Sequence, residues 1–94
     1  MSRVKVPPPA FVKKFRKALL EDLERAGIRA TVKTESLPPT KLHRFVVLSK
    51  DFDALGHSER QDLAWRIADH VLSREEKMLV SMILTLTPAE VSGV

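Results

Sequence analysis

Residues 42–49 read Leu42-His43-Arg44-Phe45-Val46-Val47-Leu48-Ser49, and their continuous apolar centre predicts a strand in the interior of a sheet. Upstream, residues 28–35 alternate apolar and polar side chains, which predicts another strand with one face in water. Pro38-Pro39 lies between the two strands and predicts a loop. Because this loop is short, we expect the strands to form an antiparallel hairpin.

Helices are predicted on both sides of the hairpin. Residues 9–26 carry apolar side chains at four-residue spacing and end before Gly27, which favours a helix with a left-handed cap. Ser58-Glu59-Arg60-Gln61 fits the capping box and predicts a long helix that ends at about Leu72. Ser73-Arg74-Glu75-Glu76 fits a second box, so we expect a break and then a short helix.

The end of the chain supplies a third strand. Residues 80–86 are rich in β-branched and large apolar side chains, and Thr87-Pro88 predicts one closing helical turn. The order α-β-β-α-α-β predicts an α+β fold, with a three-stranded sheet and helices packed on one face. The 94 residues suit one domain, expected over residues 9–94 after a flexible lead-in at residues 1–8.

The composition argues against several classes of function. The chain has no cysteine, which excludes disulfides, thiolate metal sites and thiol nucleophiles. No apolar run approaches the ~18–20 residues that span a bilayer, and no signal peptide is recognisable, so a cytoplasmic location is predicted. Three glycines leave no glycine-rich nucleotide loop, and no Gly-x-Ser-x-Gly motif is present. We therefore expect neither enzymatic activity nor a small-molecule substrate.

Positive charge is concentrated at the beginning of the chain. The formal net charge is +4, and residues 1–20 contain no acidic side chain. Such a block attracts phosphate groups, although a solvated helix face that keeps the domain soluble is the alternative interpretation. The candidate partner-binding or nucleic-acid-binding residues are Lys13, Lys14, Arg16, Lys17, Arg60 and Arg66.

The histidines are the remaining candidates for metal ligands. No pair of them has the i, i+4 spacing of a helical metal site. His70 lies beside the apolar stripe of the long helix, which favours a partly buried structural role. His43 at a strand start and His57 in a loop could meet in space, so they are the candidate ligands, with ordinary surface roles as the alternative.

The residues from Leu42 to Val91 resemble the BolA family, which consists of small stress-associated proteins with this order of elements. Residues 43–52 are similar to the family's strand of His-Phe, an apolar run, Val-Ser and a later Phe. Glu59-Arg60-Gln61 falls where family members carry an Arg-His-Arg-like segment, and residues 84–91 resemble the family's Thr-Pro-x-Glu-Trp end. The order also matches the type II KH arrangement, without the Gly-x-x-Gly clamp of KH domains.

The resemblance implies a protein partner. BolA-like proteins pair with monothiol glutaredoxins and share a [2Fe–2S] cluster, or act in iron–sulfur assembly and iron sensing, and some are linked to DNA binding. The family's ligand histidine lies just before the last strand, where this chain has Leu79. The hairpin loop, residues 36–40, offers neither His nor Cys. The chain therefore resembles a divergent member with no cofactor of its own, in which His43 is the nearest candidate ligand for a shared cluster.

Three hypotheses about function follow from these patterns. The first is a non-enzymatic BolA-like regulatory or adaptor domain that binds a partner protein, using the third strand, the end of the long helix and the loop around His57. The second is a module that binds DNA or RNA with the basic first helix of a KH-like scaffold. The third is a small subunit of a larger complex.

Overall fold

The fold is defined by a computed structural model that describes residues 9–92. The predicted lead-in at residues 1–8 and the last two residues lie outside this range. Within residues 9–92, no helix has the length and apolar character needed to cross a membrane. The elements are α1 (Ala10–Arg25), β1 (Thr31–Ser36), β2 (His43–Leu48), a 3₁₀ helix (Lys50–Ala54), α2 (His57–Val71), α3 (Arg74–Met78), β3 (Val80–Leu86) and α4 (Pro88–Ser92).

The predicted α+β architecture and order of elements are confirmed. The three strands form one sheet in the order β1-β2-β3. The β1–β2 hairpin is antiparallel, as expected, and places Lys33 opposite Val46. β3 lies parallel to β2 on its other side, with Leu84 opposite Val46 and Leu86 opposite Leu48. A sheet with β2 in the centre leaves β1 and β3 as its two edges.

β1 begins three residues later than the alternating pattern predicts, because the backbone of the preceding residues forms hydrogen bonds outside the sheet. Gly27 adopts a positive φ of 84° after α1, and the Ile28 N–H donates to the Leu23 carbonyl at 2.8 Å. The Arg29 N–H donates to the Asp51 carboxylate at 2.9 Å. These bonds end α1 and attach the segment to the 3₁₀ helix, so pairing with β2 starts only at Thr31.

The core lies between the sheet and the helices on one of its faces. Phe15 of α1 and Phe45 of β2 are fully buried and meet edge to face, with ring centroids 4.8 Å apart. Ala64 and Ala68 of α2 are buried as well, and these small side chains let α2 approach its neighbours closely. The buried apolar residues are Phe11, Val12, Phe15, Leu19, Leu23, Ile28, Val32, Phe45, Val47, Phe52, Ala64, Ile67, Ala68, Leu72, Val80 and Ile83.

The start of α2 differs from the prediction. The helix begins at His57, and the Gly56 N–H donates to the Glu59 carboxylate at 3.1 Å. The predicted capping box of Ser58 and Gln61 is therefore wrong. Because the helix starts two residues earlier, Glu59 occupies the position that reaches back to the first free amide, and Gln61 is available for another contact.

The break after α2 and the closing helical turn are confirmed. The Ser73 N–H donates to the Glu76 carboxylate at 2.8 Å, and the Glu76 N–H donates to the Ser73 hydroxyl at 3.1 Å. Thr87 and Glu90 make the same reciprocal pair at 2.8 and 3.1 Å. Both boxes satisfy amides that the first turn of a short helix cannot pair internally.

Candidate functional site

The face of the sheet that points away from α1 and α2 carries a continuous apolar surface. Its members alternate with the buried residues of β2 and β3, and none belongs to the core cluster or packs against it. Met82 is 45% exposed, and the others are half-buried. We call this surface the open face, and its residues are Val46, Leu48, Met82, Leu84 and Leu86.

The apolar residues of β2 indicate this surface in the sequence, although they predict a strand that is covered on both faces. The continuous apolar run in residues 45–48 is typical of a strand that is covered on both faces. Here the helices pack on one face only, and Val46 and Leu48 point away from them. A strand that is apolar on both faces, in a sheet that is covered on one, leaves an apolar surface without a partner in residues 9–92.

Charged residues of β1 and β2 border the open face. Arg44 donates two hydrogen bonds to the Glu35 carboxylate, from Nε at 3.1 Å and from Nη2 at 3.0 Å. These bonds, together with the charges of Arg44 and Lys33, hold the pKa of the Glu35 carboxyl below its ordinary value. Lys33 is exposed, and its ammonium group forms no hydrogen bond or ion pair among residues 9–92. With two cations and one carboxylate, these three side chains give the border a net positive charge.

Side chains from the helices donate hydrogen bonds to backbone carbonyl groups that point outward at both edges of the sheet. On the β1 edge, Arg16 Nε donates to the Val32 carbonyl at 3.1 Å. On the β3 edge, the Gln61 amide donates to the Ile83 carbonyl at 2.7 Å. The next outward carbonyl, that of Thr85, accepts from Arg60 Nη1 at 3.3 Å. These groups are consequently not free to pair with an added strand.

Arg60, a candidate phosphate-binding residue, is a core residue in the structure. Only 4% of it is exposed, and its Nε donates to the carbonyls of Phe52 and Leu55, each at 3.0 Å. Nη1 lies 2.8 Å from the Glu90 carboxylate. The Thr87 N–H and the Arg60 guanidinium hold the pKa of that carboxyl below its ordinary value. With its donors used inside the fold, Arg60 cannot form part of an external basic surface.

The basic residues of α1 divide into two groups. Lys13 and Lys17 are exposed one helical turn apart, and neither ammonium group is engaged by a partner in the described part of the chain. Lys14 instead forms an ion pair with Glu76 at 2.9 Å, and Arg16 is held by the β1 edge. Two of the four predicted residues thus remain as a free basic pair.

Arg66, the last candidate in the basic set, lies apart from α1 on the exposed side of α2. Asp62 precedes it by four residues and Asp69 follows it by three, so both carboxylates lie on the same helix face. This surface is mixed in charge and does not extend the basic pair of α1.

The structure does not bring the two candidate metal ligands together. His43 is paired with Val80 at the start of β3, and its ring meets Phe11 edge to face at 5.4 Å. His57 lies 3.5 Å from the carboxylate of Glu90, which follows the far end of β3. A strand of this length separates the two histidines by about 20 Å. His70 is exposed, so the predicted partial burial of this residue is wrong.

No group of three or more His, Asp or Glu side chains within residues 9–92 is placed to hold a metal ion. A depression of about 430 Å³ lies between the end of α1, the 3₁₀ helix and α2. Among the residues lining it, Asp51 is the one titratable side chain, and its carboxylate accepts the Arg29 N–H.

Comparison with known proteins adds no family assignment. No protein-family model matches the chain, and a search of curated proteins finds no match. The resemblance to the BolA family therefore stays a prediction from the sequence motifs.

Proposed function

We propose that this chain is a non-enzymatic adaptor or regulatory domain that binds a partner protein through the open face of its sheet. The observation that supports this proposal is the continuous apolar surface on the side of the sheet opposite the core. Apolar surface stabilises an association when a partner removes it from water, by about 25 cal/mol per Å². Contiguous exposed apolar patches on small proteins frequently mark interaction sites.

The resemblance to the BolA family supplies the first partner to test, a monothiol glutaredoxin. The proposal does not require a shared [2Fe–2S] cluster. His43 and His57 lie at opposite ends of the sheet, and the structure gives neither of them a neighbouring pair of ligand side chains within residues 9–92. The proposed pairing relies on apolar contact with the open face.

The test uses two matched substitutions. Leu84→Arg places a charge in the centre of the open face, whereas Met78→Arg places the same charge on α3, where Met78 is 72% exposed. Purified wild-type and variant chains are titrated with a monothiol glutaredoxin in a calorimeter, and a photo-crosslinker at residue 84 captures partners in cells of the native host. We expect Leu84→Arg to remove binding and Met78→Arg to retain it. Equal binding by both variants would contradict the proposal.

A separate measurement of visible absorption tests for a shared iron–sulfur cluster. Co-expression with the glutaredoxin, followed by measurement of visible absorption, reports whether iron and sulfide are held between the two proteins. Loss of that absorption in His43→Ala would assign a ligand, whereas a colourless complex would leave the adaptor role without a cluster.

Nucleic-acid binding through α1 is the second candidate function. The observation that favours it is the exposed pair Lys13 and Lys17. Electrostatic binding of this kind weakens steeply with salt, so affinity for DNA and RNA probes should be measured at several salt concentrations. Lys13→Glu with Lys17→Glu should abolish such binding, while Arg66→Glu serves as the control. Absence of binding at low salt in the wild-type chain would eliminate this candidate.

A further inference from the structure

The geometry of the sheet narrows how a partner docks. A partner strand can extend a sheet only by hydrogen bonding to free backbone groups at an edge. The carbonyls of Ile83 and Thr85 on the β3 edge are occupied by Gln61 and Arg60. The Val32 carbonyl on the β1 edge is occupied by Arg16. These contacts obstruct the addition of a strand at both edges, which favours docking on the open face.

The charges beside the open face indicate which kind of surface fits it. The Glu35 carboxylate accepts two hydrogen bonds from Arg44, and Lys33 adds a second cation that forms no ion pair within residues 9–92. The apolar centre is thus bordered by positive charge on the β1 side. Complementary potentials across an interface favour the correct partner, and like charges act against the wrong one.

We infer that the occupant of the open face is a partner protein segment with apolar side chains flanked by Asp or Glu, whose carboxylates meet Lys33. This inference rests on the proposed function. A second copy of the chain would bring another Lys33 and a net charge of +4 to the same interface. Residues 1–8 contain Arg3 and Lys5 and no acidic residue, so they lack the complementary charge. Charge therefore favours a different, acidic partner over both of these occupants.

The probe is a library of random peptides displayed on phage, selected against the immobilised full-length chain at low salt. Dissociation constants of the selected peptides are then measured by fluorescence anisotropy with the wild-type chain, Leu84→Arg, Lys33→Glu and Lys13→Glu. Met82→Arg is a second open-face variant in case Leu84→Arg does not fold, because Met82 is more exposed. Circular dichroism and urea unfolding confirm that each variant is folded.

We expect the selected peptides to combine apolar residues with Asp or Glu. The open-face variants should weaken binding at least tenfold, and Lys33→Glu should weaken it about fivefold, as removal of an interfacial charge pair does. Lys13→Glu should leave the affinity within twofold of the wild-type value, because Lys13 lies on α1.

Other outcomes separate this inference from the proposed function. Binding that depends on Leu84 but not on Lys33, with no enrichment of acidic residues, would overturn the acidic partner and keep the open face as a binding site. Binding that is insensitive to both open-face variants would overturn the proposed function itself. A wild-type dimer in sedimentation that Leu84→Arg converts to a monomer would identify a second copy as the occupant. Binding that appears only after deletion of residues 1–8 would identify that segment instead, and either result overturns the inference.

Discussion

Replacing Arg60 with methionine tests whether this charged residue holds the core together. Methionine keeps much of the side-chain length and can still pack against the Phe52 ring, whose centroid lies 5.7 Å from the guanidinium carbon. It removes every hydrogen-bond donor of the side chain. The buried Thr85 carbonyl then loses its partner at 3.3 Å, whereas the Phe52 carbonyl keeps the Leu55 N–H at 2.9 Å.

The expected loss follows from the Thr85 carbonyl. A buried polar group left without a partner costs about 1–3 kcal/mol, so the free energy of unfolding should fall by about the same amount. A domain of this size has a total stability of roughly 5–14 kcal/mol. The Leu55 carbonyl is only partly buried, and water can replace its bond to Arg60. The substitution should therefore lower the stability measurably without preventing folding.

Urea unfolding followed by circular dichroism measures this loss, and Arg66→Met provides a matched control. Arg66 is an exposed arginine in the same helix, so its substitution should change the free energy of unfolding by no more than about 0.5 kcal/mol. The dependence on urea should keep the same slope in both variants if the folded and unfolded states are otherwise unchanged. A loss below about 1 kcal/mol in Arg60→Met would refute the reasoning, because the Thr85 carbonyl would then find water.

Three further predictions concern the core, the open face and the caps. Phe15→Ala should lower the free energy of unfolding by about 3–5 kcal/mol. A loss near 1 kcal/mol would contradict this, because it would show that neighbouring side chains fill the cavity. Ile83→Ser should lower the free energy of unfolding by about 3 kcal/mol and Leu84→Ser by about 1 kcal/mol, because Ile83 points into the core and Leu84 points to the open face. Equal losses would contradict the assignment of the two faces. The folded state holds the pKa values of the Glu76 and Glu90 carboxyls below their ordinary value of 4.5. The folded state therefore binds fewer protons than the unfolded state at acidic pH. The stability that these carboxylates contribute above pH 4.5 should be lost as the pH falls. Urea titrations should give a smaller loss in Glu76→Gln with Glu90→Gln, and an unchanged loss would assign the acid sensitivity to other groups.

The order of elements could be predicted because it depends on local patterns. The reciprocal bonds of Ser73 and Glu76, and the restart of the helix that they mark, involve residues three positions apart. The start of β1 could not be predicted in this way. It depends on a contact between Arg29 and Asp51, which are distant in sequence and have no shared periodicity.

The candidate site was less predictable than the fold, and Arg60 shows why. A charged side chain in a helix is usually solvated, so the sequence predicts an exposed Arg60 on the basic surface. The apolar stripe of α2 passes through Ala64 and Ile67, and one turn before Ala64 it reaches Arg60. That spacing is the available signal for its burial. The acceptors of its hydrogen bonds lie on three other elements, and their arrangement appears only in the folded structure.

The parallel pairing of β2 with β3 has a consequence for synthesis of the chain. β3 follows α2 and α3, so the central strand β2 cannot pair with β3 until most of the chain has left the ribosome. During that interval one side of β2 has unpaired backbone groups, and the apolar residues on both of its faces lack part of their cover. A nascent chain that stalls before residue 80 would be open to aggregation or to chaperone capture. The β1–β2 hairpin, which closes locally, is the part that can form first.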